Sequence, residues 1–213
     1  MHAAKSDTDR GLFWDKIAPK YAKKPVADPE AYEEKLDRVR ARLSAGDRVL
    51  EIGCGTGSTA LRLAPAVAEI IATDISRGML AIAEEKRTAA GATNAAFRKA
   101  EAAEILPEAP FDVVTAFSLL HLVDDLPTVL GAVFAQLKPG GLFISKTVCL
   151  GDAQFGLRIF VRALRFIGLA PPVAMLREAD LRSALAATGF DVLDSRYFGK
   201  GRLNPFIVAR RPA

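Results

Sequence analysis

Val49-Leu50-Glu51-Ile52-Gly53-Cys54-Gly55-Thr56-Gly57 is the stretch that decides the fold. Arg48 to Ile52 is a short, mostly apolar run of strand character, and the glycines after it let the backbone bend tightly before a helix through Leu61 and Leu63. A strand, a glycine turn and a helix in that order can cradle a nucleotide, because the absent Cβ atoms admit a ligand to the main chain and the helix start offers unpaired N–H groups. The spacing is G-x-G-x-G, with Ser58 where a dinucleotide fingerprint carries its third glycine. Glu51 stands just before the turn, where its carboxylate repels a pyrophosphate and attracts a cationic ligand.

Downstream, the strand and helix unit repeats. Glu69 to Thr73 reads as a second strand ending at Asp74, 23 positions beyond Glu51 (74 minus 51), close to the ~20-residue spacing at which an acid grips a ribose hydroxyl pair. Ser76 caps a helix carrying Met79, Leu80, Ile82 and Ala83, which Gly91 ends, and Ile75 with Met79 offers an apolar, polarizable wall to a flat ring. Ala95 to Arg98, Asp112 to Phe117 and Leu142 to Val148 complete a set of five strands, with a helix from about Pro127 to Leu137 before the last. Such alternation predicts an α/β fold, a parallel sheet covered on both faces. The tail departs from the rhythm. After a helix near Glu178 to Ala187, the strands Phe190 to Phe198 and Phe206 to Arg210 are joined through Gly199-Lys200-Gly201-Arg202, too short for a crossover, so they form a hairpin.

Upstream, Asp28 caps a helix with Pro29 in its first turn and Tyr32, Leu36, Val39 and Leu43 along one stripe, stopped by Gly46. The expected organisation is an N-terminal helical lid over residues 1–45 and one catalytic domain over 46–213, with a helical cap insertion at about 151–176.

The chain has 213 residues, half of them hydrophobic and a quarter charged, which is an ordinary globular balance for one domain. The net charge of +4 is spread among acids, and no basic stripe interleaved with aromatics marks a nucleic-acid surface. Two cysteines, Cys54 and Cys149, are too few for a disulfide framework, and with two histidines they make no recognisable metal site. No stretch resembles a signal peptide or reaches the ~18 apolar residues of a membrane span. A cytoplasmic protein is expected.

Together with the glycine turn, Thr73-Asp74-Ile75-Ser76 followed by Met79, Phe111-Asp112-Val113-Val114 and Leu137-Lys138-Pro139-Gly140-Gly141 resemble the successive motifs of class I S-adenosylmethionine-dependent methyltransferases. The likeness runs over residues 10 to 210. It is nearest to the small-molecule branch of the ubiquinone and menaquinone biosynthesis methyltransferases, through Phe13-Trp14-Asp15-Lys16-Ile17-Ala18 and Tyr21. The resemblance implies a Rossmann-like seven-stranded sheet, mostly parallel with an antiparallel C-terminal hairpin strand, and S-adenosyl-L-methionine as cofactor. It places Glu51, Gly53, Cys54, Gly55 and Gly57 against the methionine moiety, Asp74 on the ribose, Ile75 and Met79 on adenine, and the backbone around Phe117 on the cofactor ammonium. Glu101 beside Ala102 stands where the family commonly has an Asp contacting the adenine amino group. Trp14, Tyr21 and the cap insertion resemble a lid, Tyr21 on the cofactor side and Trp14 with Arg158 toward the acceptor.

His121 comes after the fourth strand, at the carboxyl edge where open α/β sheets bind ligands. Its imidazole suits a general base or an acceptor contact, and equally a hydrogen bond to a loop. In Phe155 to Gly168, Arg158, Arg162 and Arg165 share one helical face. Three readings stay open for them: a solvated face, a site for an acidic acceptor, or a contact with an anionic membrane surface. The acceptor is expected to be a small, partly apolar or lipid-like metabolite rather than nucleic acid. Two other classes stand beside this one. A nicotinamide-dependent oxidoreductase shares the glycine turn and acid spacing, although no Tyr-x-x-x-Lys pair occurs, and a non-catalytic cofactor-binding module shares every motif.

Overall fold

The computed structural model describes residues 7–157, 159, 160 and 173–213, with side chains from Arg10 onward. In chain order its elements are α1 (Asp7–Ala22), α2 (Pro29–Arg40), β1 (Arg48–Ile52), α3 (Ser58–Leu63), β2 (Glu69–Asp74), α4 (Arg77–Ala90), β3 (Ala95–Lys99) and β4 (Phe111–Phe117), then α5 (Leu126–Gln136), β5 (Leu137–Lys146), α6 (Glu178–Thr188), β6 (Asp191–Arg196) and β7 (Phe206–Arg210).

The seven strands form one sheet in the order β3-β2-β1-β4-β5-β7-β6. β1 to β5 pair in parallel, and β7 runs antiparallel between β5 and β6, as the alternation and the short tail linker lead one to expect. The order reverses between β1 and β4. At that point the connections leave in opposite directions, and a crevice opens beyond the carboxyl ends of the two strands.

Pleat alternation sorts the side chains onto two cores. Leu50, Ile52, Val114, Ala116, Phe143 and Ile207 point to one face, covered by Val129, Leu130 and Val133 of α5 and Leu181 and Leu185 of α6. Val49, Val113, Ile144, Phe206 and Val208 point to the other, covered by Leu36 and Val39 of α2 and Ala60 and Leu63 of α3. Leu36 and Val39 are fully buried, each adding about 1.5–3 kcal/mol. Thus α2, part of the expected lid, belongs to the core of the sheet. By the same alternation Glu51 of β1, Phe117 of β4 and Lys146 of β5 project toward the α2 side at the carboxyl edge.

Local chemistry accounts for the helix starts. The Asp28 carboxylate accepts from Ala31 N at 3.0 Å, and the Ser76 hydroxyl accepts from Met79 N at 3.0 Å. Some boundaries move. β5 starts at Leu137 rather than Leu142 and stops at Lys146 rather than Val148, because Leu137 pairs with Phe111 and the Lys138-Pro139-Gly140-Gly141 stretch is tied to Arg211 by two backbone bonds of 2.9 Å. β6 spans Asp191–Arg196 only, and its flanking Phe190 and Phe198 are buried beyond its ends.

Candidate functional site

A cavity of about 930 Å³ lies over the carboxyl ends of β1, β2 and β4. Its walls include Glu51, Gly53, Cys54, Gly55, Asp74, Ile75, Met79, Glu101, Ala102 and Phe117, and its rim includes Trp14 and Tyr21. Residues far apart in sequence are gathered here because each terminates a parallel strand at the same edge.

The glycine turn divides its work. At Gly57 (φ +72) a Cβ would lie 2.6 Å from the Phe97 ring and 2.8 Å from the Ala83 Cβ, so this glycine lets the turn pack onto α4 and β3. Gly57 is not on the cavity wall. Gly55 (φ +54) is on it, and a Cβ there would meet nothing within 4 Å, so the main chain is bare toward the cavity.

Asp74 closes the turn from below. One carboxylate oxygen accepts from Gly55 N at 2.8 Å and the other from Ser76 N at 2.9 Å. Burial holds the carboxyl above its ordinary pKa despite backbone hydrogen bonds from Ser76, Gly55 and Ile75. Glu51 is 2% exposed, and its Oε2 has no hydrogen-bond partner among the described residues. Burial raises its pKa, Lys35 opposes that rise and Asp74 adds to it.

A roof crosses the cavity. Asp15 of α1 accepts from Ser76 Oγ at 2.6 Å and from Gly78 N at 2.8 Å, which fastens α1 to the start of α4. At the other lip Arg10 donates to the Leu122 carbonyl at 3.3 Å and pairs with Asp124 at 3.1 Å. Trp14 meets Tyr21 edge-on, ring centroids 6.3 Å apart, along the underside of this helix.

Residues 26–195 match the profile of the methyltransferase domain family. The chain belongs to that family. It is a class I S-adenosylmethionine-dependent methyltransferase domain. A demethylmenaquinone methyltransferase of Geobacillus kaustophilus (strain HTA426) is 36% identical over 60% of this chain and 56% of its own length. A ubiquinone biosynthesis O-methyltransferase of Paracidovorax citrulli (strain AAC00-1) is 29% identical over 71% of this chain and 66% of its own length. The chain thus matches between about half and two thirds of these relatives. In fold it resembles the cyclase SpnF (TM-score 0.78, 21% identity, 98% of each chain) and the magnesium protoporphyrin IX methyltransferase of Synechocystis PCC 6803 with bound S-adenosylmethionine (TM-score 0.75, 18% identity, 99% of this chain and all of that one).

The methyltransferase cavity fits its cofactor on two structural grounds: the bare main chain at Gly55 and the unpartnered Glu51 oxygen. Of the candidate site residues that the structure describes, Gly57 and His121 are not among the cavity walls. Gly57 acts through packing. Arg158 lies outside the described residues. His121 is 9% exposed, its Nδ1 has no hydrogen-bond partner among the described residues, and it is not among the described walls, which pass from Leu119 to Leu122. Burial lowers its pKa to about 4, and its carbonyl accepts from Ala174 N at 2.8 Å.

The chain turns at Ser118, a non-glycine residue at φ +56, which sends Leu119 against Gly53 and re-aims the residues after it. Neither Asp15 nor Lys35 was singled out by sequence reasoning. Lys35 had a legible signal, since it lies four residues from both Ala31 and Val39 on the apolar stripe of α2.

Proposed function

We propose that this protein transfers the methyl group of S-adenosylmethionine to a small, partly apolar acceptor. The observation that carries the reading is the Gly55–Asp74 bond at the floor of the cavity, which sets a carboxylate beside a stretch of main chain open to a ligand. When bound, the cofactor supplies a methyl group on a positively charged sulfur. In this reading Asp74 receives the ribose hydroxyls, Glu51 faces the cofactor's cationic groups, and Ile75, Met79, Ala102 and Glu101 enclose adenine. Gly53, Cys54 and the backbone at Phe117 border the methionine moiety, and the α1 roof with Trp14 and Tyr21 excludes water.

His121 does not act as the general base in this reading. A neutral imidazole with a pKa about 4 is a weak proton acceptor at neutral pH, and it lies behind the cavity wall. Methyl transfer to a good nucleophile draws most of its advantage from in-line positioning. Two free, buried thiols, Cys54 and Cys149, support a reducing, cytoplasmic setting.

Isothermal titration tests the cofactor half. S-adenosylmethionine should bind wild type, and binding should largely disappear in Asp74→Ala. Unchanged binding in that variant would remove the ribose assignment, and binding of NAD(P) instead of S-adenosylmethionine would favour an oxidoreductase.

A second reading concerns the start of the segment for which membrane contact is one of three open readings. Phe155 is 75% exposed and Phe160 59% exposed, which supports contact with a lipid surface that delivers an apolar acceptor. No helix among the described residues is long and apolar enough to cross a membrane. Co-sedimentation with anionic vesicles that is equal for wild type and a Phe155→Ser, Phe160→Ser double variant would refute this contact.

A further inference from the structure

Beyond the residues given to the cofactor, the cavity continues over the end of β5 and the start of β7. Its walls there are Lys146, Phe198, Lys200 and Asn204, together with Lys24 and Asp28 of the α1–α2 connection. Strand register sets the separation. Glu51 pairs with Thr115 of β4 and Thr115 with Ile144 of β5, so Lys146 lies two strands across and two residues further along. At ~4.8 Å between strands and ~3.3 Å per residue, its Cα is about 12 Å from that of Glu51. Phe117 of β4 stands between them, paired in register with Lys146.

The two ends of the cavity also differ in charge. Glu51 and Asp74 close the cofactor end, where Lys35 feels the pull of Glu51. At the far end three lysines share one carboxylate, Asp28. That carboxylate is already engaged: one oxygen accepts from Ala31 N at 3.0 Å, and a Cβ at Gly199 would lie 2.6 Å from the other. Gly199 thereby lets the β6–β7 linker close on the start of α2. Among the described residues Lys146 enters no ion pair. Asp28 acts on it only at range, and burial outweighs that pull and lowers the amine below its ordinary 10.5. Asn204 adds an unspent amide, its Oδ1 buried with no hydrogen-bond partner among the described residues. Phe198 is buried and meets Phe206 edge-on, centroids 5.1 Å apart, which gives the same end a fixed apolar wall.

We propose that this end is the anchoring subsite of the methyl acceptor and that it takes a carboxylate: Lys146 Nζ pairs with it, the Asn204 amide donates beside it, and Phe198 packs on the apolar part of the same molecule. The inference rests on the methyl-transfer reading and names the acceptor class, an apolar molecule that carries a carboxylate remote from the atom to be methylated. The carboxylate is an anchor because two strands separate Lys146 from the glycine turn. A neutral analogue would leave the Lys146 charge desolvated and unpaired, so the subsite discriminates between acceptors as well as attracting them.

The cofactor carries a carboxylate too, and the test separates the two. The probes are 2-naphthoate and its neutral counterpart 2-naphthamide, titrated by calorimetry into the full chain saturated with S-adenosylhomocysteine. Wild type should bind the naphthoate about tenfold or more tighter than the naphthamide, the effect of a shielded hydrogen bond to a charged group. In Lys146→Met that preference should be lost while S-adenosylhomocysteine binds as before, and Asn204→Ala should reduce it. Lys146→Gln serves as second variant if Lys146→Met does not fold. Equal binding of the two probes by wild type, no saturable binding of either, or an undiminished preference in the Lys146 variants overturns the proposal. Weakened S-adenosylhomocysteine binding in those variants overturns it as well, by giving the lysine to the cofactor's carboxylate. Failure of wild type to bind S-adenosylhomocysteine overturns the methyl-transfer reading instead.

Discussion

Removing the Asp15 carboxylate should release the roof without loosening the sheet. Asp15 Oδ1 takes two hydrogen bonds, from Ser76 Oγ at 2.6 Å and Gly78 N at 2.8 Å. Bonds to a charged acceptor contribute about 1.5–3 kcal/mol each when shielded, and partial exposure of Asp15 reduces the pair to roughly 2–3 kcal/mol in total. At about 1.4 kcal/mol per factor of ten, Asp15→Ala should increase the open population of α1 roughly 30–100-fold. Neither buried core draws on α1, so the strands should be unaffected.

Hydrogen exchange reads this directly. Amides of α1 should exchange faster by about that factor, S-adenosylmethionine affinity should fall, and exchange in β1, β2 and β4 should stay as in wild type. Unchanged protection in α1, or equal acceleration in the strands, would refute the clasp. Acid should mimic the variant. Burial pushes the Asp15 carboxyl up, but the Ser76 hydroxyl, the Gly78 N–H, Lys99 and Arg77 outweigh it and hold it below the ordinary 3.8. The clasp is therefore complete above that value and is lost as pH falls through the lowered one.

The two turn glycines should separate stability from binding. Gly57→Ala combines a left-handed backbone with a Cβ 2.6 Å from the Phe97 ring and should cost about 2–5 kcal/mol, read by thermal or urea unfolding. Gly55→Ala meets no protein atom, so it should cost only about 1–2 kcal/mol of strain while sharply weakening cofactor binding in calorimetry. For His121, burial lowers the pKa from 6.5 to about 4, so the unfolded chain takes up a proton first as pH falls. Stability from this group should be complete above 6.5 and decline toward pH 4 by about 3 kcal/mol. His121→Gln should flatten that part of the stability profile, and an unaltered profile would show that another group titrates there.

The cofactor side was legible in sequence because its signals are local. Glycines in a tight turn, Glu51 at one strand end and Asp74 at the next sit in short motifs whose geometry the backbone alone enforces, and alternating strands and helices then imply the parallel sheet. The roof and the α2 wall were less legible because their contacts join distant segments. Asp15 reaches Ser76 across 61 positions, and the Phe117 ring meets Lys35 only once α2 has packed against the sheet. His121 was placed at the correct edge, yet position in sequence could not show which way it turns. A left-handed Ser118 decides that, and serine has no marked preference for the conformation. The early start of β5 likewise arises from tertiary ties that propensity does not contain.

The central claim, that this cavity carries out methyl transfer, is most directly tested by incubating the protein with S-adenosylmethionine labelled in its methyl group and a fractionated cell extract. Label should enter a low-molecular-mass, partly organic-extractable fraction with wild type and not with Asp74→Ala. S-adenosylmethionine binding without label in any fraction would contradict the claim and leave a cofactor-binding module in place of an enzyme.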